Sequence, residues 1–335
     1  MKIQHFVPSN ANAIVLICDQ NYLPAARLVA HQLLCQPLIN FDVLILTTGR
    51  SSQSEELQDS RLQILDMELN PQISSLPHSS RKSTATYARL SIDTLLGDLY
   101  RKLLYLDCDV WIANRPIGHL FELDMHDYEV AAVRDAAEII RPTASEWLDY
   151  KWRLGLPKTM KYFNSGVMLI DVKNFRRAKV GQRALRYLAE GEYRGALHDQ
   201  SALNAVLKGR WLELSPLWNW MFATRLEITE KYNPAIIHFI GSNKPWRDRK
   251  AKHAPKYRLE MEQYLSSIGY RSYVEGIPAR AQWRRTFVNS AKRITAALIG
   301  DRWNNRIEAF MATERFEDVD QGIVSSTSAL APHPG

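Results

Sequence analysis

Cysteine is scarce in this 335-residue chain. The three present, Cys18, Cys35 and Cys108, stand at spacings that make neither a metal site nor a disulfide framework. Each lies in or beside an apolar run, the setting of small buried thiols in a reducing compartment. Long apolar runs are missing too. None approaches the roughly 20 residues of a membrane-spanning helix, and the run at 13–17 is too brief for a secretory signal. The cytoplasm is therefore the expected compartment. No G-x-G-x-x-G follows the first strand-like run, which counts against a dinucleotide dehydrogenase, and no P-loop lysine motif is present. Acidic charge is short in one region only. Residues 1–242 set 27 Lys and Arg against 26 Asp and Glu, whereas residues 243–315 set 16 against 7. Such a basic segment suits an anionic partner: a nucleic acid, a membrane surface or a phosphate-bearing substrate.

What the chain does have is organised around residues 101–112, RKLLYLDCDVWI. The run through Leu103, Leu104, Tyr105 and Leu106, stopped by Asp107-Cys108-Asp109, reads as a strand buried on both faces. Ligands gather at the carboxyl ends of strands in a parallel sheet. Asp107 and Asp109 would stand there, pointing to one side as alternate strand residues do. Two carboxylates turned the same way repel and lose hydration unless a cation lies between them. Hard oxygen ligands suit Mg2+ or Mn2+. The bland alternative is a pair of turn residues capping the next element.

In chain order, residues 13–18 read as a strand, Asp19, Gln20 and Asn21 as its turn, and 23–34 as a helix. Residues 41–49 make a second buried strand closed by Gly49. A helical stretch around 55–58 and a third strand from Leu62 follow. This alternation predicts an α/β fold with a mostly parallel central sheet and crossover helices, with Asp19 and Asn21 also at the ligand edge. Residues 83–96 read as one helix capped by Ser83 or Thr84. Arg89 within it is either a surface arginine on a packed stem or a guanidinium aimed at a sugar or phosphate. A strand ends at Asp135, and residues 136–160, without clean periodicity, read as a mobile substrate-side excursion. Gly166 precedes a strand over 167–172, at a point where backbone must approach something closely. Asp199 either caps a helix bearing Leu203, Val206 and Leu207 or works in a site. A lone strand histidine such as His238 is more often core than ligand. Here Gly241, Lys244 and Trp246 follow it, supplying backbone access, a point charge and a lid, the makings of a phosphate pocket.

Six stretches, ICDQNY, TYARL, LLYLDCDVWI, NSGVMLIDV, HDQSALN and IIHFIGSNKPW, fall in the order and rough spacing of the family 8 glycosyltransferases. That family includes bacterial lipopolysaccharide galactosyl- and glucosyltransferases and the glycogenins, and the chain resembles it over roughly residues 12–250. The resemblance implies a GT-A type fold, a UDP-sugar donor (UDP-glucose or UDP-galactose), Mn2+ with Mg2+ as substitute, and transfer with retention of anomeric configuration. It implies that Asp107, Asp109 and His238 bind the metal at a motif completed by Cys108. By the same likeness, Asp19, Asn21 and Tyr22 hold uridine, Tyr22 stacking on uracil. Arg89, Asn164, Asp199 and Gln200 surround the donor sugar, and Gly241 and Lys244 close on the diphosphate. Of these, Gln200, Asp199 and Arg89 are the expected catalytic set. One departure is Gln20, where relatives often carry a second acidic residue; it bears on the nucleobase contacts rather than on the donor class.

The expected organisation is a catalytic domain over 1–250, a basic, mostly helical extension over 251–315 and a disordered tail over 316–335. In residues 279–299, Trp283, Phe287, Ala291, Ile294 and Leu298 share one helical face flanked by Arg280, Arg284, Arg285, Lys292 and Arg293. That pattern fits a helix in an anionic membrane interface or one packed on the catalytic domain; the resemblance to bacterial relatives with basic tails implies the cytoplasmic face of the inner membrane. The function expected is hexosyl transfer to a saccharide or lipid-linked saccharide acceptor. The alternatives are a nucleotidyltransferase, which also uses paired aspartates on an α/β sheet, and a non-catalytic membrane-bound sugar-binding module. Nucleic acid is not an expected partner, because the basic segment shows no known nucleic-acid module.

Overall fold

The computed structural model describes residues 2–3, 6–36, 40–49, 61–69, 71–76, 84–113, 115–190, 198–247, 252–270, 273, 301–314 and 316. The helical stretch expected around 55–58, the amphipathic segment 279–299 and nearly all of the tail lie outside them.

The strands are β1 (Lys2–Ile3), β2 (Asn12–Cys18), β3 (Asp42–Thr47), β4 (Leu62–Glu68), β5 (Lys102–Leu106), β6 (Val110–Ile112), β7 (Val130–Arg134), β8 (Phe163–Asp171), β9 (Leu212–Glu213) and β10 (Ile236–His238). Eight form one sheet in the order β1-β4-β3-β2-β5-β8-β7-β9, and β10 pairs with β6 in a separate two-stranded ribbon. The four central strands β4, β3, β2 and β5 are parallel. β8 runs antiparallel between β5 and β7. The mostly parallel centre is the one expected. Its strands read as unbroken apolar runs because both faces are buried. Ile14, Leu16, Leu104 and Leu106 enter the core on one face, and Ala13, Val15, Leu103 and Tyr105 enter the core on the other.

The helices are α1 (Leu23–Leu34), α2 (Pro71–Ser74), α3 (Ile92–Leu96), α4 (Ala136–Ile140), α5 (Ser145–Arg153), α6 (Val172–Arg177), α7 (Val180–Glu190), α8 (His198–Leu207), α9 (Leu226–Tyr232), α10 (Pro255–Ser267) and α11 (Arg302–Thr313). α1 closes the first crossover and packs on the first face, while α7 and α8 cover the second. None of the described helices is long and apolar enough to cross a membrane.

Three local expectations are corrected. The single helix over 83–96 is a 3-10 helix, Thr84–Ser91, followed by α3. A 3-10 stretch of eight residues is unusual, and within it the Arg89 side chain returns to the Thr86 carbonyl at 3.1 Å. The excursion over 136–160 is built as α4 and α5. It is anchored by Lys151, 1% exposed, whose ammonium meets Glu138 at 2.6 Å and the Met160 carbonyl at 2.9 Å; periodicity was blurred because a charged residue holds the inward position. Residues 164–166 belong to β8 rather than preceding it, with a register shift opposite Ala132 and Val133.

Beyond residue 250 the chain returns to the same core. Tyr257, Met261 and Leu265 of α10 and Ile307 of α11 join the cluster that includes α1. The Tyr264 ring stacks on His31 at 4.6 Å, and its hydroxyl donates to the Arg27 carbonyl at 3.1 Å. Asp301 caps α11, accepting from Trp303 N at 2.9 Å, and pairs with Arg225, while Arg134 reaches Glu314 at 2.8 Å. Partly exposed ion pairs add little stability each, so burial of Ile307 is the larger contribution.

Candidate active site

From β2 the chain steps outward to β3 and β4, then returns to place β5 on the other side of β2. The crevice outside the carboxyl ends of β2 and β5 is thus the switch point where α/β sheets take ligands. Asp19 stands at one lip and Asp107 at the other. β8 lies antiparallel beside β5, so its first residues share this edge, and Asp107 N donates to the Gly166 carbonyl at 2.8 Å. The β6–β10 ribbon pairs His238 with Val110, bringing the imidazole beside Asp109.

The two carboxylates converge, but not as alternate residues of one strand. β5 ends at Leu106, the chain turns through Asp107–Asp109, and β6 joins the other sheet. Convergence comes from that turn and from the ribbon. Carboxyl oxygens of Asp107 and Asp109 and a ring nitrogen of His238 lie within 4.8 Å of one another. His238 Nε2 is 3.3 Å from Asp109 Oδ1 and 3.7 Å from Asp107 Oδ2. Asp107 Oδ1 is already taken, at 2.7 Å each, by the Arg89 guanidinium and the Tyr105 hydroxyl, which leaves Oδ2 to face the cluster. Two carboxylate oxygens and one imidazole nitrogen around a common point fit a divalent cation such as Mn2+. Burial opposes charge on Asp109, but the Lys244 ammonium and His238 outweigh it and hold its pKa well below the carboxylate range. Lys244 Nζ donates to Asp109 and, at 2.6 Å, to the Phe239 carbonyl. It is already part of the cluster.

Arg89 is no surface arginine. It is 5% exposed, and its ring-facing guanidinium lies 4.3 Å over Tyr105. Nε meets Asp199 Oδ2 at 3.0 Å, and Nη1 donates to the Ser165 carbonyl at 3.1 Å. Burial alone would lower its pKa, yet Asp107 and Asp199 raise it well above the usual value. Asp199 sits in the first turn of α8 rather than at its cap, and this ion pair occupies it. Gln200 is held at both ends: Oε1 accepts from Ser165 N at 3.1 Å and Nε2 donates to Asp135 Oδ2 at 3.1 Å. Asn164 Nδ2 reaches the same Asp135 oxygen at 3.2 Å. Gly166 has a concrete reason to be glycine, since a Cβ there would lie 2.2 Å from His238 Cε1.

At the other lip, Asp19 Oδ1 accepts from the backbone N–H groups of Asn21 and Tyr22 at 3.0 and 3.2 Å. Gln20 donates to Thr47 Oγ1 and the Thr48 carbonyl, both at 3.2 Å, tying the turn to β3. Tyr22 meets Trp246 edge-on at 6.1 Å, and Trp246 stacks on Tyr273 at 6.0 Å. The Tyr273 hydroxyl donates to the Asn21 carbonyl at 3.0 Å. Burial, and secondarily Asp109, push the Tyr22 phenol up to about 12. Cys108 hydrogen-bonds the Ile17 carbonyl at 3.6 Å; its contact with Cys18 and its burial raise its thiol pKa. Gly241 takes a left-handed φ of +81° in the exposed loop before Lys244.

Sequence reading missed Tyr105, Asp135, Asn219 and Tyr273. Tyr105 and Asp135 stand in the sequence as strand residues, and Asn219 as one polar residue between Trp218 and Trp220. A polar residue inside an apolar run was the available signal for Tyr105 and Asn219.

Residues 13–250 match the sequence profile of glycosyl transferase family 8. General stress protein A of Bacillus subtilis is 35% identical over 204 residues, covering 56% of this chain and 67% of the relative. Lipopolysaccharide 1,2-glucosyltransferase of Escherichia coli is 29% identical over 257 residues, covering 71% and 74%. Among solved structures, an active-site mutant of LgtC superposes with a TM-score of 0.64 at 21% identity, covering 82% of this chain and 99% of the other. Likeness at that identity speaks for the fold, which is of the GT-A type.

The Arg89 bridge generates one prediction. Arg89→Leu strands the buried Asp199 carboxylate and takes one partner from the half-buried Asp107, and should cost about 3–5 kcal/mol in urea unfolding. Adding Asp199→Leu should return part of that loss, because the second change removes the stranded charge. Simple additivity of the two losses would show that the bridge does not couple them.

Proposed function

Because the chain belongs to glycosyl transferase family 8, we propose that it moves a hexose, glucose or galactose, from a UDP-sugar to a saccharide acceptor, with a divalent cation, Mn2+ or Mg2+, held by Asp107, Asp109 and His238. The observation that carries this reading is the convergence of those three side chains at the switch point. A cation bound there would stabilise the negative charge that develops on the departing diphosphate. Lys244, a compact point charge reached through the Gly241 loop, would take another part of that charge. Asp19, Asn21 and Tyr22 would receive the uridine, with Trp246 as the lid behind Tyr22.

Retention requires the acceptor to arrive on the face the leaving group departs from. Asp199 is engaged by Arg89 and Gln200 is hydrogen-bonded at both ends, and an amide is a poor nucleophile. These facts favour a same-face step over a double displacement through the protein. The acceptor oxygen bonds to the anomeric carbon as the carbon–oxygen bond to UDP breaks, and the hydroxyl proton passes to the departing phosphate oxygen. Intact-mass analysis during turnover should show unmodified protein; a glycosylated Asp199 would sink the same-face route.

A lipopolysaccharide-type acceptor is favoured by the relative that is a lipopolysaccharide 1,2-glucosyltransferase. The excess of 16 basic over 7 acidic residues in 243–315 favours docking of an extension beginning near residue 251 on the cytoplasmic face of the inner membrane. Arg284→Glu with Arg285→Glu should then reduce sedimentation with anionic vesicles while leaving UDP binding intact; unchanged sedimentation argues against docking.

UDP release should be measured across a panel of UDP-sugars with Mn2+ present and then chelated. Metal-dependent release from UDP-glucose or UDP-galactose, abolished by Asp109→Ala, is the expected result. A protein that neither binds UDP nor releases it from any sugar would refute the assignment.

A further inference from the structure

The hydrogen-bond pattern behind His238 can be read without ambiguity, because it starts from a group that can only donate. Gly166 N–H donates to Asn164 at 3.0 Å, so the Asn164 atom it meets is the carbonyl oxygen Oδ1. The other end of Asn164 is then its NH2, as its position 3.2 Å from the Asp135 carboxyl requires. Asn164 Oδ1 receives a second bond, at 3.0 Å, from Asn219, whose contacting atom must therefore be Nδ2. The remaining atom of that amide, the oxygen, lies 2.9 Å from His238 Nδ1. A carbonyl oxygen accepts and cannot donate, so the proton of the neutral ring sits on Nδ1. Nε2 is then the ring nitrogen that faces the Asp107–Asp109 cluster and is available to a cation there.

Every link is shielded from water. Asn219 is 0% exposed, His238 4% and Asn164 8%. Hydrogen bonds among buried polar groups are high-stakes, since a wrong orientation leaves a group unpaired with no solvent to repair it. A flipped Asn219 would set NH2 against the histidine and two oxygens against each other, so one backbone N–H propagates a single proton arrangement through two amides to the ring.

We propose that Asn219 is a positioning residue which holds His238 in the Nδ1–H tautomer and so presents Nε2 to the divalent cation. The inference rests on the metal reading of this site and adds the group that prepares its nitrogen ligand. Outer partners of metal-bound histidines fix tautomer and ring orientation, and their loss costs about 10- to 100-fold in metal affinity.

Two variants separate positioning from packing. Asn219→Leu keeps similar volume but offers no acceptor to Nδ1. Asn219→Asp keeps an acceptor toward Nδ1 and loses the NH2 that Asn164 receives. In 15N-edited NMR of the full-length, metal-free protein with labelled histidine, the His238 signals should show protonated Nδ1 in the wild type and in Asn219→Asp, and lose that pattern in Asn219→Leu. Calorimetric titration of Mn2+ in the presence of UDP should show binding weakened about 10- to 100-fold in Asn219→Leu, with metal-free UDP binding unchanged. Asn219→Asp should lose thermal stability yet bind Mn2+ more tightly than Asn219→Leu. A wild-type His238 without a proton on Nδ1 overturns the inference even if the leucine variant fails to fold, as does unaltered Mn2+ affinity in that variant when folded. Wild-type protein that takes up no Mn2+ overturns the metal reading together with it.

Discussion

A single buried guanidinium ties the two halves of the site together. Arg89 comes from the 3-10 helix ahead of β5, and it bonds one carboxylate at the end of β5 and another at the start of α8. Burying a cation with one buried and one half-buried anion is expensive unless each is paired and hydrogen-bonded, and here the geometry meets that demand through Ser165, Thr86 and the face of Tyr105. One oxygen of Asp107 is consumed in doing so. The remaining oxygen is thereby aimed, and the position of α8, with Gln200, is set by the same bond. Removal of this arginine would disturb charge, register and helix placement at once.

The other half of the cluster depends on close approach rather than on charge. His238 reaches the edge of the main sheet only because β8 has no side chain at residue 166. The ribbon of β6 and β10 could otherwise not lie so near β8. Asp107 is thus held by the large sheet and His238 by the small one, and Asp109 sits on the turn connecting them.

Much of this was legible in the chain. The strands β2, β3, β4 and β5 and helix α1 follow from apolar runs and turn residues that are local properties. Asp107, Asp109 and His238 were legible as candidates because their residue types and neighbours are unusual for apolar strands. What could not be read is geometry that depends on distant partners. Asn219 looks like one polar residue among tryptophans until β8 is placed beside it. Asp135 looks like a strand end until Asn164 and Gln200 arrive. The helix expected over 83–96 tightened into a 3-10 stretch where Arg89 turns inward, and α4 and α5 were obscured because the inward residue is a lysine whose partner, Glu138, lies 13 residues away in a different helix.

The hydrogen bond from Tyr264 to the Arg27 carbonyl joins residues 237 positions apart. The first crossover helix therefore cannot complete its packing until the chain has grown past α10. Synthesis at about 10 residues per second leaves α1 without its α10 cover for roughly 20 seconds. During that interval the side of α1 that meets Tyr264 lacks its partner. Completion of that helix's packing is thus a late event, set by the arrival of α10.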